Sequence, residues 1–190
     1  MPKLIEFNTE RLHLRQWCAD DREPFAQLNA DPRVMEFFPN LLDQAASDAL
    51  LDRIETKIRD QGWGWWAVEI TATREFIGFV GLNIPAPDLP CSPCVEVGWR
   101  LAFPYWGKGY ATEAAREALR IGFEVLQFEE IVSFTAIPNR RSQAVMERLN
   151  MRKMPETFLH PRISIGHPLA EHCLYKLSRS DFKRYTDSSY

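Results

Sequence analysis

Trp99-Arg-Leu-Ala-Phe-Pro-Tyr-Trp-Gly-Lys-Gly-Tyr-Ala-Thr-Glu-Ala-Ala115 is the stretch on which the reading of this chain turns. An apolar strand runs into a tight loop carrying Gly107 and Gly109, and the loop opens into a run of helix formers from Ala111. Glycine tolerates φ > 0 and has no Cβ to keep a ligand from the backbone. The first N–H groups of a helix lack intrahelical partners, and the helix dipole places roughly half a positive charge beside them. The combination suits a phosphate group. A sharp turn that needs two glycines would look the same locally, so the rest of the chain must decide.

Upstream of the loop, Val95–Leu101 alternates as a strand, with Val95, Val97, Trp99 and Leu101 on one face and Glu96 and Arg100 on the other. Trp65–Ile70 and Phe76–Leu82 flank a polar turn and read as a hairpin, the second arm apolar throughout as for a central strand. Trp63, Trp65 and Trp66 form an aromatic cluster suited to core packing or to lining a pocket. Earlier still, residues 10–17 alternate as a strand, and a helix follows with Asp20 and Asp21 at its start and Phe25 and Leu28 on its buried side. A short helical turn spans 31–38. A longer helix runs from Asp43 to Asp60, with Ala46, Leu50, Ile54 and Ile58 on one face and Gly62 as its stop.

Downstream, the glycine loop feeds a helix to about Val125, with Glu113, Glu117, Arg120 and Glu124 solvated and Ala111, Ala115, Ala118 and Gly122 facing a sheet. Glu130–Ala136 is a strand, and Asn139 caps a helix that buries Val145, Met146 and Leu149. Ser142 shares that stripe, where its hydroxyl bonds a carbonyl one turn back or points into a cleft. Asn150 suits a left-handed helix end. Residues 151–158 and then His172–Leu177 complete the pattern, and Tyr185–Tyr190 reads as a loose tail.

Composition sets the outer bounds. At 190 residues the chain is expected to be one domain over residues 1–190, its core about 9–180. A net charge of −3 opposes broad nucleic-acid binding. No apolar run suggests a membrane helix and no signal-peptide layout opens the chain, so a cytoplasmic protein is expected. Cys18, Cys91, Cys94 and Cys173 make no disulfide framework, and Cys91-Ser-Pro-Cys94 is a lone pair in a loop holding four prolines over residues 85–94. No metal site is expected. His160, His167 and His172 lack helical ligand spacing and are assigned structural or substrate-side roles.

Three pieces in order carry a family likeness: Gly78-Phe-Val-Gly-Leu82, Tyr105-Trp-Gly-Lys-Gly-Tyr-Ala-Thr-Glu-Ala114, and Asn139-Arg-Arg-Ser-Gln-Ala-Val-Met-Glu-Arg-Leu149. With the order of elements around them, the chain resembles the GNAT family of acetyl-CoA-dependent N-acetyltransferases, and most closely its RimJ/RimL-like branch. The resemblance implies an α/β (α+β) fold with a mixed, mostly antiparallel central sheet. About seven strands and about four helices are expected, the sheet splayed between its fourth strand (Val95–Leu101) and its fifth (Glu130–Ala136).

The resemblance also implies a site. Acetyl-CoA is the expected acetyl donor, its pyrophosphate on the loop of Trp106, Gly107, Lys108, Gly109, Tyr110, Ala111 and Thr112, with Trp106 replacing the family's usual polar residue. Its pantetheine arm is expected along Trp99, Arg100 and Leu101, with Asn139 touching it from the second cofactor element. Between residues 139 and 153, five cations stand against Glu147 alone, a local surplus suited to an anionic ligand or to a solvated helix face. Met146 stands where many relatives place a tyrosine acid, and methionine cannot donate a proton. In the RimL-like branch a serine at the position of Ser142 is the proposed acid. Glu96, at the reaction gap, is a candidate base, or else a charge paired with Arg100 or another cation. The implied reaction is direct transfer to a primary amine, a protein N-terminus or a small amine, in a ternary complex. A non-catalytic acyl-CoA-binding module on the same fold is the alternative. The acceptor loops, 31–45 and 155–171, carry no motif that names the acceptor, and a homodimer is one option for the assembly.

Overall fold

A computed structural model describes residues 2–187. The strands are β1 (Phe7–Asn8), β2 (Leu12–Arg15), β3 (Trp65–Ile70), β4 (Phe76–Asn83), β5 (Glu96–Leu101), β6 (Glu130–Ala136), β7 (Arg152–Leu159) and β8 (Glu171–Ser178). The helices are α1 (Arg22–Ala30), α2 (Gln44–Gln61), α3 (Tyr110–Arg120), α4 (Arg140–Arg148) and α5 (Arg179–Asp187). One eight-stranded sheet results, ordered β1-β2-β3-β4-β5-β6-β8-β7, antiparallel except where β5 meets β6. The expected seven strands become eight because residues 7 and 8 pair with 14 and 13, a ladder too short to leave a period in the sequence. A fifth helix arises because α5 takes Tyr185 to Asp187 out of the expected tail, whose last three residues lie outside the described ones.

Helices cover both faces, so alternation sorts each strand's side chains between two cores. Leu14, Trp66, Val80, Leu82, Val97 and Leu101 meet Ala114, Ala118 and Leu119 of α3 on one side. Phe25, Leu28, Leu51, Ile54 and Ile58 of α1 and α2 cover Ala67 and Phe79 on the other. In β4 the parity changes at a bulge beside Gly78 (φ 134°), where a Cβ would lie 2.1 Å from the carbonyl oxygen of Arg100. β4 is buried along nearly its whole length, as its apolar run predicts.

Two helices differ in detail from their patterns. α2 starts at the Asp43 cap, whose carboxylate accepts from the Ala46 N–H at 2.8 Å, and ends at Gly62 with φ 86°. Its buried stripe is Ser47, Leu51, Ile54 and Ile58 instead of the Ala46 and Leu50 series. A 3.6-residue turn drifts away from strict steps of four, and Ser47 is tolerated inside because its hydroxyl accepts from Asn29 at 2.9 Å. α3 continues to Val125 through one widened turn, closed by Leu126 N–H to Ile121 C=O at 2.9 Å. Small residues bring this helix onto the sheet: a Cβ on Gly122 would stand 2.5 Å from Ile131 Cδ1.

The central seam positions the site. β5 and β6 run parallel and register at Glu96 and Val132, with Val132 N–H donating to Val95 C=O at 2.8 Å. Beyond that point the two strands diverge, which is the splay expected between Val95–Leu101 and Glu130–Ala136.

Candidate active site

The glycine loop follows a single turn at Phe103–Tyr105 and enters α3 through Gly109. Gly107 and Gly109 take φ of 73° and 83°, conformations that side chains rarely adopt. A Cβ on Gly107 would meet nothing within 4 Å, and one on Gly109 only Arg11 Nη2 at 3.4 Å, so this backbone faces open space. The N–H groups of residues 107–112 find no backbone acceptor among the described residues. Such a set of unpaired donors at a helix start fits a pyrophosphate.

The loop is held from behind. Trp106 Nε1 donates to Leu101 C=O at 2.7 Å, latching the loop to the end of β5. Arg11 Nη1 donates to Lys108 C=O at 3.0 Å, and its guanidinium pairs with Glu113 at 2.6 Å and lies 4.6 Å over the Tyr110 ring. Glu113 also accepts from Thr9 Oγ1 at 2.6 Å. It is therefore an anchor of the first turn of α3 and not part of the solvated face assigned to it. Lys108 rests its ammonium 5.5 Å from the Tyr105 ring, and Thr112 closes the set of free helical donors.

A cleft of about 900 Å³ opens where β5 and β6 part, lined by the loop, by α4 and by the two acceptor-side loops. Along β5, Val95 C=O faces β6 while Ala102 N–H faces β4, so odd-numbered backbone groups point into the seam. Trp99 and Leu101 thus offer backbone groups to the cleft. Arg100, expected with them, turns its backbone to β4, opposite Phe79, and contributes a side chain on the other face.

Glu96 faces the cleft with no ion-pair partner within 4 Å among the described residues. The anticipated pairing with Arg100 does not form. Instead Lys57 Nζ donates to Asn83 Oδ1 at 2.6 Å, and Asn83 Nδ2 donates to Glu96 Oε1 at 2.9 Å. Burial raises the Glu96 pKa to about 7, against the Asn83 hydrogen bond and the Lys57 charge. On the opposite wall Asn139 Oδ1 accepts from Ser142 N–H at 3.1 Å, while Asn139 Nδ2 donates to Ser142 Oγ at 3.1 Å and Thr135 Oγ1 at 2.9 Å. Asn139 is therefore the cap that positions Ser142, and the hydroxyl proton of Ser142 stays free to be donated.

These features fit acetyl-group transfer from a CoA thioester, and the family model described as an acetyltransferase (GNAT) domain matches residues 11–152. The chain belongs to the GNAT family. The FsC-acetyl coenzyme A-N(2)-transacetylase of Aspergillus fumigatus is 33% identical over 162 residues, covering 80% of this chain and 67% of that protein. The uncharacterised protein YkkB of Bacillus subtilis is 32% identical over 146 residues, 75% of this chain and 83% of its own. A crystal structure of spermidine N-acetyltransferase from Vibrio cholerae, in complex with CoA and spermine, superposes with a TM-score of 0.70 at 20% identity, covering 90% of this chain and 98% of that one. The likeness to that structure is one of fold. This GNAT chain is accordingly an acetyl-CoA-dependent acyltransferase.

Several residues of the GNAT cleft carry no motif in the sequence. Trp65 lines it from the hairpin, stacked on Phe79 with ring centroids 4.9 Å apart, whereas Trp63 and Trp66 are core. Phe37 and Phe38 come from the first acceptor loop, and Arg141 reaches across from α4 to pair with Glu36 and to lie 4.8 Å from the Trp106 ring. His160 and His172 meet at 5.0 Å on the far wall, and burial lowers the His172 pKa to about 4. His167 stays outside, its Nδ1 accepting from Leu169 N–H at 3.1 Å. Cys91 and Cys94 lie with sulfurs 3.5 Å apart, away from the cleft lining. No helix is long and apolar enough to cross a membrane among the described residues.

Proposed function

We propose that this enzyme acetylates a primary amine by direct transfer within a ternary complex, with Glu96 as general base and Ser142 as general acid. The observation that carries the reading is the pair of opposed groups on one cleft. A carboxylate with pKa near 7 comes from β5, and a hydroxyl with its proton free comes from α4. Acetyl-CoA supplies the thioester carbonyl that the amine attacks. An alkylammonium cannot attack until it loses a proton, and a base titrating near neutrality takes that proton at physiological pH. The N–H groups of β5 that face the seam, at Trp99 and Leu101, lie where negative charge on the carbonyl oxygen would be stabilised. Ser142 gives its proton to the departing sulfur and is reprotonated, through water, by the second proton that leaves the acylated nitrogen, while Glu96 returns the first to water. The amine and the thioester thus become an amide and a free thiol.

Gly107, Lys108, Gly109, Tyr110, Ala111 and Thr112 hold the pyrophosphate through backbone N–H groups, and Arg141 adds charge beside them. Met146 is buried and has no proton to give, which leaves Ser142 in the acid's place. Trp106 and Ser142 are also the residues that support the RimJ/RimL-like branch. The acceptor is an amine on a small molecule or a protein N-terminus. The test is thiol release from acetyl-CoA across a panel of peptides and amines, with CoA affinity measured in parallel. Turnover of one class supports the reading, and tight CoA binding without turnover of any acceptor overturns it in favour of a binding module.

A further inference from the structure

On the face of β5 turned away from α3, Glu96, Gly98 and Arg100 follow one another. The Arg100 guanidinium lies between two rings, 4.2 Å from the centroid of Phe38 and 5.4 Å from that of Phe79. Its Nη1 donates to Asn29 Oδ1 at 2.6 Å, and Asn29, itself buried, is fixed by donating to Ser47 Oγ at 2.9 Å. That partner is neutral. No carboxylate lies within ion-pair reach of Arg100 among the described residues, and its Nε is buried without a hydrogen-bond partner. Burial alone lowers the Arg100 pKa, to about 10, with no acidic neighbour acting against it.

A second orphan donor lines the same cleft. The indole Nε1 of Trp65 is likewise buried and unpartnered, 3.4 Å from where a Cβ on Gly98 would stand. Both residues line the same cleft as Glu96. A half-buried cation with no anion beside it, and two buried N–H groups left unpaired in an aromatic pocket, are costly unless a ligand completes them. The missing partner is an acceptor of hydrogen bonds, and the uncompensated charge makes it an anion. A polyamine would set an ammonium against Arg100.

Building on the amine-acetylation reading above, we infer that the acceptor is a small amino carboxylic acid. Its carboxylate is bound by Arg100 with the Trp65 N–H, and its amine is presented to Glu96. Arg100 and Trp65 are thereby specificity residues for the acceptor, and the glycine at 98 leaves the path between amine and carboxylate clear.

The test uses the full chain, acetyl-CoA and matched acceptors: lysine, lysine amide and cadaverine, with β-alanine, β-alaninamide and ethylamine as a shorter set. In at least one set the acid is expected to exceed both its amide and its decarboxylated amine in kcat/KM by about tenfold or more, as for a site built around a polar group. Arg100→Gln should reduce that ratio about tenfold, and Trp65→Phe, which keeps the ring on Phe79, should reduce it severalfold even where Arg100→Gln fails to fold. In both sets the decarboxylated amine reacting as well as its acid, or a ratio unmoved in Trp65→Phe, overturns the inference and leaves amine acetylation standing. Turnover of peptides or other amines but of none of the six overturns this inference alone, and CoA binding with no turnover of any acceptor overturns both.

Discussion

At Glu96, burial and one amide hydrogen bond oppose each other, and burial wins. A carboxyl whose pKa lies near 7 is half ionised at neutral pH, so the base population rises as pH passes through that value. The kcat/KM profile should therefore climb through about pH 7 on its acid limb. Glu96→Gln should lower kcat by roughly a hundredfold or more and remove that limb, read from initial rates between pH 5.5 and about pH 8.5. Linkage adds a stability signature of opposite sense. Because the folded pKa lies above the unfolded one, the native state holds its proton longer, and wild-type stability falls as pH rises between those values. Glu96→Gln should unfold like wild type at about pH 4 but be more stable by about 2 kcal/mol at pH 8, measured by urea titration. A variant equally stable at both would mean that Glu96 is well solvated. Ser142 is the other half of the chemistry. Ser142→Ala should reduce kcat roughly tenfold to a hundredfold, a deficit that shrinks when the acyl donor carries a leaving group of lower pKa. A deficit equal for all donors would assign Ser142 to positioning.

Among the elements, the turn from β5 into α3 and the pairing of β3 with β4 test two different uses of glycine. Gly109→Val forces a β-branched residue to φ 83°, costing about 1–3 kcal/mol of stability. Its larger effect should fall on CoA affinity, about tenfold or more by calorimetry on the folded fraction, because the side chain enters the anion cradle. Unchanged affinity would remove the cradle. Gly81→Ala is a core lesion instead: its Cβ would stand 2.0 Å from the Gly64 carbonyl oxygen and 2.8 Å from the Trp66 ring. A loss of about 3 kcal/mol or more, or failure to fold, is expected from thermal melts, since backbone cannot yield there. Both glycines stand out in the sequence, but for unequal reasons. The loop of Gly107 and Gly109 is legible because strand, turn and helix signals meet within a few residues. So are β3 to β6 and the Asn139 cap, each set by local alternation or a single hydrogen bond. The Lys57–Asn83–Glu96 chain is not, because it joins three elements that only the tertiary fold brings together. Arg100 and Asn29 meet across 71 positions, and Phe38, His160 and Ile163 reach the cleft as single side chains from irregular loops. No period or motif marks such residues. α2 shows the same boundary in small: its existence and caps are written locally, but which of its faces is buried depends on Asn29 receiving Ser47.

Across the whole molecule, the sheet is two half-sheets that register at Glu96 and Val132 and then part. On one face α1 and α2 cover β3 and β4, and on the other α3 packs across both halves while α4 and α5 meet β6 and β8, so the seam is bridged from the α3 side only. A ligand lodged in the seam thus contributes cohesion that the sheet itself lacks beyond that register. Binding to the native state alone stabilises by about 2.7 kcal/mol at a hundredfold excess over Kd. For a chain of this size that corresponds to a rise in Tm of roughly 5–10 °C, readable by differential scanning fluorimetry with CoA. The spatial pattern is the sharper test. Hydrogen exchange should slow on CoA addition at Trp99 and Leu101 of β5, at residues 107–112 of the loop and α3, and in the first turn of α4. These segments offer unpaired or first-turn N–H groups to the cleft, whereas the hairpin of β3 and β4 is already bonded on both sides. Protection spread evenly over the sheet would mean that CoA stabilises the fold without entering the seam, and the assignment of the splay as the thioester channel would fail.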